Sequence, residues 1–167
     1  MINNTISYHK ATSQDIETIV ENRLKFAIEL NGDQSEDAKE NLKTLMRDYF
    51  TRSMPDNLCI SFIAKSGDEI AGIGSVVFRE TMGGFRNPTG KWGYIMNMYT
   101  IPKFRKQGIC GRILEMLVEE GRALGVIAFE LHATPQGEPV YLKGGFKIHD
   151  EPTLRKFFVP TVVNRLK

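Results

Sequence analysis

The chain has 167 residues, a hydrophobic fraction of 41%, a charged fraction of 25% and a formal net charge of +2. This length is typical of one domain, and the ordinary balance of apolar and charged residues excludes disordered and fibrous proteins. The two cysteines form no paired motif, no signal-like segment opens the chain, and no apolar run approaches the roughly 18 residues of a membrane span. We therefore expect a single domain over residues 1–167, a cytoplasmic location and no membrane partner.

The first third of the chain predicts a strand and two helices. Apolar and polar residues alternate over 5–10, which is typical of a short edge strand. Thr12 and Asp15 then mark a helix start, and apolar residues recur at helical spacing over 14–30 before an Asn-Gly pair. A second amphipathic helix is predicted over 35–52, with these residues on its core face: Ala38, Leu42, Leu45, Met46 and Tyr49.

An antiparallel hairpin is predicted next. Residues 58–64 and 70–78 are rich in β-branched and apolar side chains, and a Ser-Gly-Asp turn signal separates them. Gly72 and Gly74 in the second strand indicate a bulge or a close backbone approach. The glycine-rich stretch 82–90 that follows is irregular, so it is either a plain hairpin connection or a flap beside a ligand.

The middle of the chain predicts a β-α-β unit. It consists of a strand over 92–101, a helix over 109–124 and a strand over 126–133. Such a unit places its strands parallel with a right-handed crossover, and ligands gather at the carboxyl ends of those strands. We therefore expect Thr100, Thr134 and the start of the helix to surround one crevice.

The loop before that helix has the features of an anion site. The first N–H groups of a helix lack intrahelical partners, and the helix dipole favours negative charge beside them. Gly108 and Gly111 permit close backbone approach, while Arg105, Lys106 and Arg112 add positive charge, so a pyrophosphate would suit the loop. Neither a dinucleotide fingerprint nor a P-loop fits, because the glycine spacing differs and no Gly-Lys-Ser or Gly-Lys-Thr occurs.

The end of the chain predicts one short helix and two further strands. Residues 138–143 carry Pro139 in the first turn and precede a glycine pair, as a short helix would. A strand is expected from Phe146, and residues 152–160 are expected to add a last strand to the sheet.

Two blocks of this sequence resemble the GCN5-related N-acetyltransferase (GNAT) family. The first is Arg105-x-x-Gly108-x-Cys110 after a strand that ends Thr100-Ile101-Pro102. It matches the family's acyl-CoA loop, [QR]-x-x-G-x-[GA], except that Cys110 stands in place of Gly or Ala. The second block, residues 141–146, matches the family pattern Y-x-x-x-G-F at every fixed place. Both blocks lie in the expected order within about 90–150.

The resemblance implies an α/β (α+β) single-domain fold. Its sheet would be central, mixed and mostly antiparallel, with a β-α-β acyl-CoA unit and flanking helices. The implied activity is transfer of an acetyl group from acetyl-CoA to a primary amine, on a small molecule, peptide or protein, by direct attack in a ternary complex. The residues expected to contact acetyl-CoA are Met98, Tyr99, Thr100, Arg105, Lys106, Gln107, Gly108, Ile109, Cys110, Gly111 and Arg112.

The resemblance also implies that Tyr141 is the general acid, since a phenol with a pKa of about 10 stays protonated at neutral pH. The general base stays open between Glu130, His132 and a water relay, because these two residues share one face of a strand. Cys110 is not expected to be a nucleophile, because no His is placed by sequence to activate it. The three histidines show no metal-ligand spacing, so no metal is expected.

Two other functions remain open from the sequence. A CoA-binding sensor without turnover would also use the loop. Nucleic-acid binding through the basic cluster 103–112 is a weaker alternative, and we expect no nucleic-acid partner because the net charge is small. The acceptor has no recognisable motif, although Glu80 and Glu130 are candidates to attract a cationic amine. A homodimer is possible by analogy with the family.

Overall fold

The computed structural model describes residues 5–158, and its elements follow the predicted order. The strands are β1 (Ile6–Lys10), β2 (Cys59–Ser66), β3 (Glu69–Glu80), β4 (Lys91–Thr100) and β5 (Ala128–Leu131). The helices are α1 (Ile16–Asn31), α2 (Glu36–Ser53), α3 (Ile109–Ala123) and α4 (Glu138–Lys143). The strands form one sheet in the order β1-β2-β3-β4-β5, antiparallel except for the parallel pair β4 and β5. This confirms the mixed, mostly antiparallel sheet and its β-α-β unit.

Local sequence signals set the helix ends. Before α1, the Asp15 carboxylate accepts from the Thr12 backbone N–H, and the Thr12 hydroxyl accepts from the Gln14 N–H. The Ser35 hydroxyl caps the first turn of α2 in the same way. Gly32 ends α1 with a φ of 79°, a conformation that costs a residue with a Cβ about 1 kcal/mol or more. These caps explain why the helix boundaries agree with the predicted ones.

The sheet separates two apolar clusters. Helices α1 and α2 pack on one face, where Ile19 and Ile63 are fully buried. Helix α3 packs on the other face, where Ile113 and Leu117 are fully buried, and Tyr141 of α4 joins this second cluster. Among residues 5–158, no helix has the length and apolarity needed to cross a bilayer.

The core face of α2 differs from the prediction. Met46 is buried and Tyr49 is partly buried, but the other three predicted core residues are exposed: Ala38, Leu42 and Leu45. Phe50 supplies the remaining core contact of this helix. Ion pairs join Lys43 and Arg47 of α2 to glutamates of α1, so charged side chains link the middle of α2 to α1.

The predicted strands at the end of the chain are wrong where the structure describes them. No strand begins at Phe146, and residues 152–158 run without sheet pairing; the rest of the predicted 152–160 strand lies outside the described residues. Pro152 lacks the N–H that a ladder requires. Leu154 and Phe157 are 90% and 81% exposed, so no apolar face of this segment packs on the sheet.

Strand β4 contains a bulge at the position that the glycines of β3 indicate. The pairing register shifts between Ile73 and Ser75, so that Asn97 and Met98 of β4 both lie opposite Gly74. Asn97 has a φ of 56°, which is uncommon for any residue other than glycine. The extra residue therefore belongs to β4, and the glycine across from it gives α3 room to approach.

Replacing Gly74 with alanine should destabilise the protein by about 2 kcal/mol, because an added methyl group overpacks a closed site. A Cβ at this position would lie 2.5 Å from Ile113 Cγ2 and 2.6 Å from Met98 Sδ. The free energy of unfolding in urea measures the loss. Gly84→Ala is the matched control, because a Cβ there meets nothing within 4 Å, and its effect should stay within about 0.5 kcal/mol. Equal losses in the two variants would contradict the packing described.

Candidate active site

A cavity of about 780 Å³ opens where β4 and β5 separate. The two strands pair as far as Ile95 and Leu131, after which β4 continues without β5 to Thr100. Residues 96–100 therefore present a strand edge to the cavity. Thr134 and the start of α3 line the same space, so the expected crevice at the carboxyl ends of these strands is confirmed.

The cavity collects nearly all of the residues expected to contact acetyl-CoA. Gln107 is the exception, since it is exposed and does not line the cavity. The lining residues from the expected set are Met98, Tyr99, Thr100, Arg105, Lys106, Gly108, Ile109, Cys110, Gly111 and Arg112. Tyr141 lines the cavity as well.

The loop before α3 forms a row of free backbone donors. Lys106 and Gly108 have φ values of 63° and 79°, which turn the chain sharply at the head of the helix. The first hydrogen bond of the helix joins the Arg112 N–H to the Gly108 carbonyl at 3.0 Å. Within the described part of the chain, the N–H groups of residues 106–111 have no acceptor. Donors in this arrangement at a helix N-terminus fit the phosphate groups of a CoA ester.

The Arg105 side chain connects the loop to two other elements by hydrogen bonds. Its Nη2 donates to both carboxylate oxygens of Glu29 at 2.7 and 2.8 Å, and its Nε donates to the Thr100 carbonyl at 3.0 Å. These bonds tie the loop to α1 and β4. They also occupy the carbonyl of Thr100, one of the residues expected to contact acetyl-CoA, so the Arg105 side chain holds the loop backbone in place.

The basic cluster 103–112 does not form a concentrated basic surface. Lys103 pairs with a glutamate of β3, Arg105 pairs with α1, and Arg112 pairs with the next turn of its own helix. Three of its cations are thus balanced by carboxylates. Electrostatic binding of nucleic acid requires unbalanced positive charge on one face, and this arrangement gives no support for that function.

Tyr141 and Cys110 meet on the α3 side of the cavity. Tyr141 is 8% exposed, and its hydroxyl lies beside the Cys110 thiol. Burial raises the pKa of Tyr141 well above its ordinary value, and the neighbouring thiol raises it further. Burial also raises the pKa of Cys110 to about 11. Both groups are therefore protonated at neutral pH, so the phenol can donate a proton and the cysteine is a poor nucleophile.

His132 and Glu130 differ in their surroundings: Glu130 lies in β5, and His132 follows the last residue of that strand. His132 lines the cavity, and its Nδ1 lies 2.9 Å from the Tyr94 hydroxyl. The Glu130 carboxylate accepts from the Arg79 guanidinium and does not line the cavity. Of these two residues, only His132 is therefore placed to exchange a proton with a molecule in the cavity. Among residues 5–158, no group of three His, Cys, Asp or Glu side chains is placed to hold a metal ion.

A second cavity of about 310 Å³ adjoins the first at Met96 and Asn97. It lies between the sheet and the helices α1 and α2, and Arg23 of α1 reaches into it. The Arg23 Nη1 is 3.5 Å from Asn97 Oδ1, and Asn97 Nδ2 donates to Ser75 Oγ at 3.3 Å. No residue of the loop 82–90 lines either cavity, which favours a plain hairpin connection over a flap.

Sequence reasoning missed Arg23. The signal was present, because Arg23 follows Ile19 by four residues and Val20 by three. These positions share one face of a helix. A cation on the apolar face of α1 was therefore visible in the sequence, but the prediction of this helix used only its apolar residues.

Comparison with known proteins agrees with this geometry. The family model described as Acetyltransferase (GNAT) family matches residues 25–146. A predicted acetyltransferase from Clostridium acetobutylicum, crystallised with acetyl-CoA, is 31% identical, with 91% of this chain and 96% of that chain covered and a TM-score of 0.80. No curated protein matches the chain.

Two further solved structures show the same fold at lower identity. A GCN5-related N-acetyltransferase from Ralstonia eutropha is 20% identical, with 91% of this chain and 99% of that chain covered and a TM-score of 0.78. Glucosamine-6-phosphate N-acetyltransferase from Arabidopsis thaliana is 18% identical, with 93% and 99% covered and a TM-score of 0.68.

Proposed function

The chain belongs to the acetyltransferase (GNAT) family, and from this premise we propose that it transfers the acetyl group to a primary amine by direct attack in a ternary complex. Membership of the family makes it an acetyltransferase with acetyl-CoA as cosubstrate. One observation carries the mechanism: the main cavity joins a row of free backbone donors, an unpaired strand edge and a buried, protonated phenol.

Acetyl-CoA binding follows from the backbone of two elements. The N–H groups of residues 106–111 would hold the pyrophosphate, assisted by the charge of Lys106. The edge of β4 at Met98 and Tyr99 would pair with the amides of the pantetheine arm, in the place that a neighbouring strand would otherwise take. Next to the bulge, a backbone N–H would polarise the thioester carbonyl.

The chemistry requires two proton transfers. As the amine nitrogen bonds to the carbonyl carbon, the bond from that carbon to sulfur breaks, the amine loses a proton and the sulfur gains one. Tyr141 would donate to the departing sulfur, because its raised pKa keeps it protonated. His132 would accept the proton of the amine, directly or through water, since it faces the cavity while Glu130 is paired with Arg79.

Two residues in the first turn of α3, Cys110 and Gly111, bear on acetyl-CoA binding. The Cys110 thiol is hydrogen-bonded to the Tyr141 hydroxyl, so the side chain that replaces the family's Gly or Ala has a partner within the protein. Gly111 keeps the following position open, since a Cβ there would be 3.9 Å from its nearest neighbour, Val140 Cγ1.

Calorimetry should show acetyl-CoA binding at one site per chain. Gly108→Ala should weaken the affinity about tenfold, because its φ of 79° strains any residue with a Cβ and shifts the neighbouring donors. Gly125→Ala is the matched control at the other end of α3, with the same φ of 79° and the same open surroundings. It should lower stability equally and leave the affinity unchanged. Equal loss of affinity in both variants, or no binding by the unmodified chain, would refute the assigned loop.

Tyr141→Phe should lower kcat about 100-fold and leave the Kd of acetyl-CoA unchanged. Tyr8→Phe, which removes a phenol hydroxyl outside both cavities, should leave kcat unchanged. The acid is active while protonated, and its pKa is raised, so activity should not fall with its ionisation below a pH of about 10. Binding of acetyl-CoA without any turnover in the unmodified chain would instead indicate the sensor.

His132→Gln should reduce activity most at low pH. There the amine is mostly protonated and must lose a proton before its nitrogen can attack, whereas at higher pH it arrives neutral and water or hydroxide can take the one proton that it loses during the attack. The measurement is the pH profile of kcat/KM over pH 6 to 10. His149→Gln, at an exposed histidine, serves as the control. A loss that is uniform across the profile would assign His132 a structural role through Tyr94.

A further inference from the structure

The smaller cavity holds a cation with no anion beside it. The groups that face the Arg23 guanidinium are the Tyr49 and Tyr94 hydroxyls, the Cys59 thiol and the Asn97 amide. No Asp or Glu lines this cavity, and no carboxylate in the described residues forms an ion pair with Arg23. Burial lowers the pKa of Arg23, as expected for a charge removed from water without compensation.

An uncompensated charge in this position calls for an explanation. Burying a cation without a partner is unfavourable, whereas an apolar residue on the same face of α1 would join the core. The long contact with Asn97 Oδ1, at 3.5 Å, is a weak compensation. The guanidinium keeps free donors that point into a space large enough for a small ligand.

We propose that the acceptor is a small primary amine that carries an anionic group, a carboxylate or a phosphate, and that Arg23 binds this group. The inference rests on the proposed function and names its substrate class. An anion on Arg23 directs the rest of the molecule toward Met96 and Asn97, where the smaller cavity meets the acetyl-CoA cavity. A bidentate Arg contact to a carboxylate or phosphate also fixes the orientation of the amine.

The other residues that line the smaller cavity narrow the class of acceptor further. They are largely apolar and are formed by Leu45, Met46, Phe50, Val77 and Met96, so they would accommodate an apolar portion of the acceptor. Leu45 is 59% exposed, and its place in the lining of this cavity explains why an apolar side chain is left accessible. The alternative of a cationic acceptor held by Glu80 and Glu130 loses support, because neither residue lines either of these two cavities and Glu130 is paired with Arg79.

The test compares matched amines in the presence of acetyl-CoA, with release of free CoA as the readout. The pairs are phenylalanine and methionine against their carboxamides, and phosphoethanolamine against ethanolamine. The unmodified chain should prefer the anionic member of at least one type of pair. A preference within the amino-acid pairs would identify a carboxylate, and a preference within the other pair would identify a phosphate.

Arg23→Gln should then lower kcat/KM for the preferred anionic amine by at least about 30-fold, mainly through KM, and leave the neutral member nearly unchanged. Arg23→Lys should recover part of the preference, because it restores the charge without the planar fork. Arg47→Gln, on the exposed side of α2 and outside both cavities, is the control and should change neither member.

Stability measurements separate binding from a structural role. Arg23→Gln should fold with a thermal midpoint equal to or above that of the unmodified chain, since it removes an unpaired, partly buried charge. Its acetyl-CoA affinity should also be unchanged. A lowered midpoint together with equal losses for anionic and neutral amines would overturn the proposal and make Arg23 a structural residue.

The remaining outcomes distinguish this inference from the proposed function. If neutral amines are acetylated as well as or better than their anionic partners, the inference fails and the acetyltransferase mechanism stands. If the chain binds acetyl-CoA but acetylates no amine of either kind, both fail.

Discussion

Both cavities depend on how β4 leaves the regular sheet. On the side of β3 it bulges at Asn97 and Met98, and on the side of β5 it loses its partner after Ile95. Backbone N–H and C=O groups that lose a ladder partner must pair elsewhere, so an unpaired edge inside a cavity is a preformed site for an extended ligand. Helix α3 supports the bulge from one face of the sheet and packs closely there because Gly74 has no side chain.

This strand also separates the two substrates that the mechanism requires. Helix α3 and Tyr141 line the larger cavity, where acetyl-CoA would bind, and Arg23 lines the smaller one; the hydrogen bond between Tyr94 and His132 joins a residue of the smaller cavity to one of the larger. Because the cavities meet at Met96 and Asn97, both can be filled at once. Direct attack needs this simultaneous occupation, and proximity of two bound reactants supplies much of the rate gain in such reactions.

Features that depend on a few consecutive residues were predicted well. The cap at Thr12 and Asp15, the turn at Gly67 and the glycine-bearing loop before α3 are set by local backbone preferences, and each appears where the sequence placed it. The same holds for the β-α-β unit, whose helix carries a continuous apolar face. Local signals therefore predicted the backbone of the loop and helix that we propose to bind acetyl-CoA.

Features that depend on distant partners were not predicted. Arg105 was expected to serve the anion directly, but its bidentate partner Glu29 lies 76 residues away in the chain. The exposed apolar side chains of α2 and the missing strand after Phe146 have the same origin, because burial depends on which elements meet in space. A local sequence pattern does not show which elements will pack together.

Arg23 has a local and a long-range aspect: its place on the apolar face of α1 can be read from neighbouring residues, whereas the cavity that it lines is formed by distant ones. It also shows how the fold tolerates a charge at a core-facing position. Ile16, Ile19, Val20 and Leu24 surround it on α1 and are buried, so this helix stays anchored even though one position of its apolar face carries a cation. The unfavourable burial is confined to a single side chain at the wall of a cavity. A ligand that supplies the missing anion would remove that cost on binding, so the acceptor would gain affinity from the unpaired charge of Arg23.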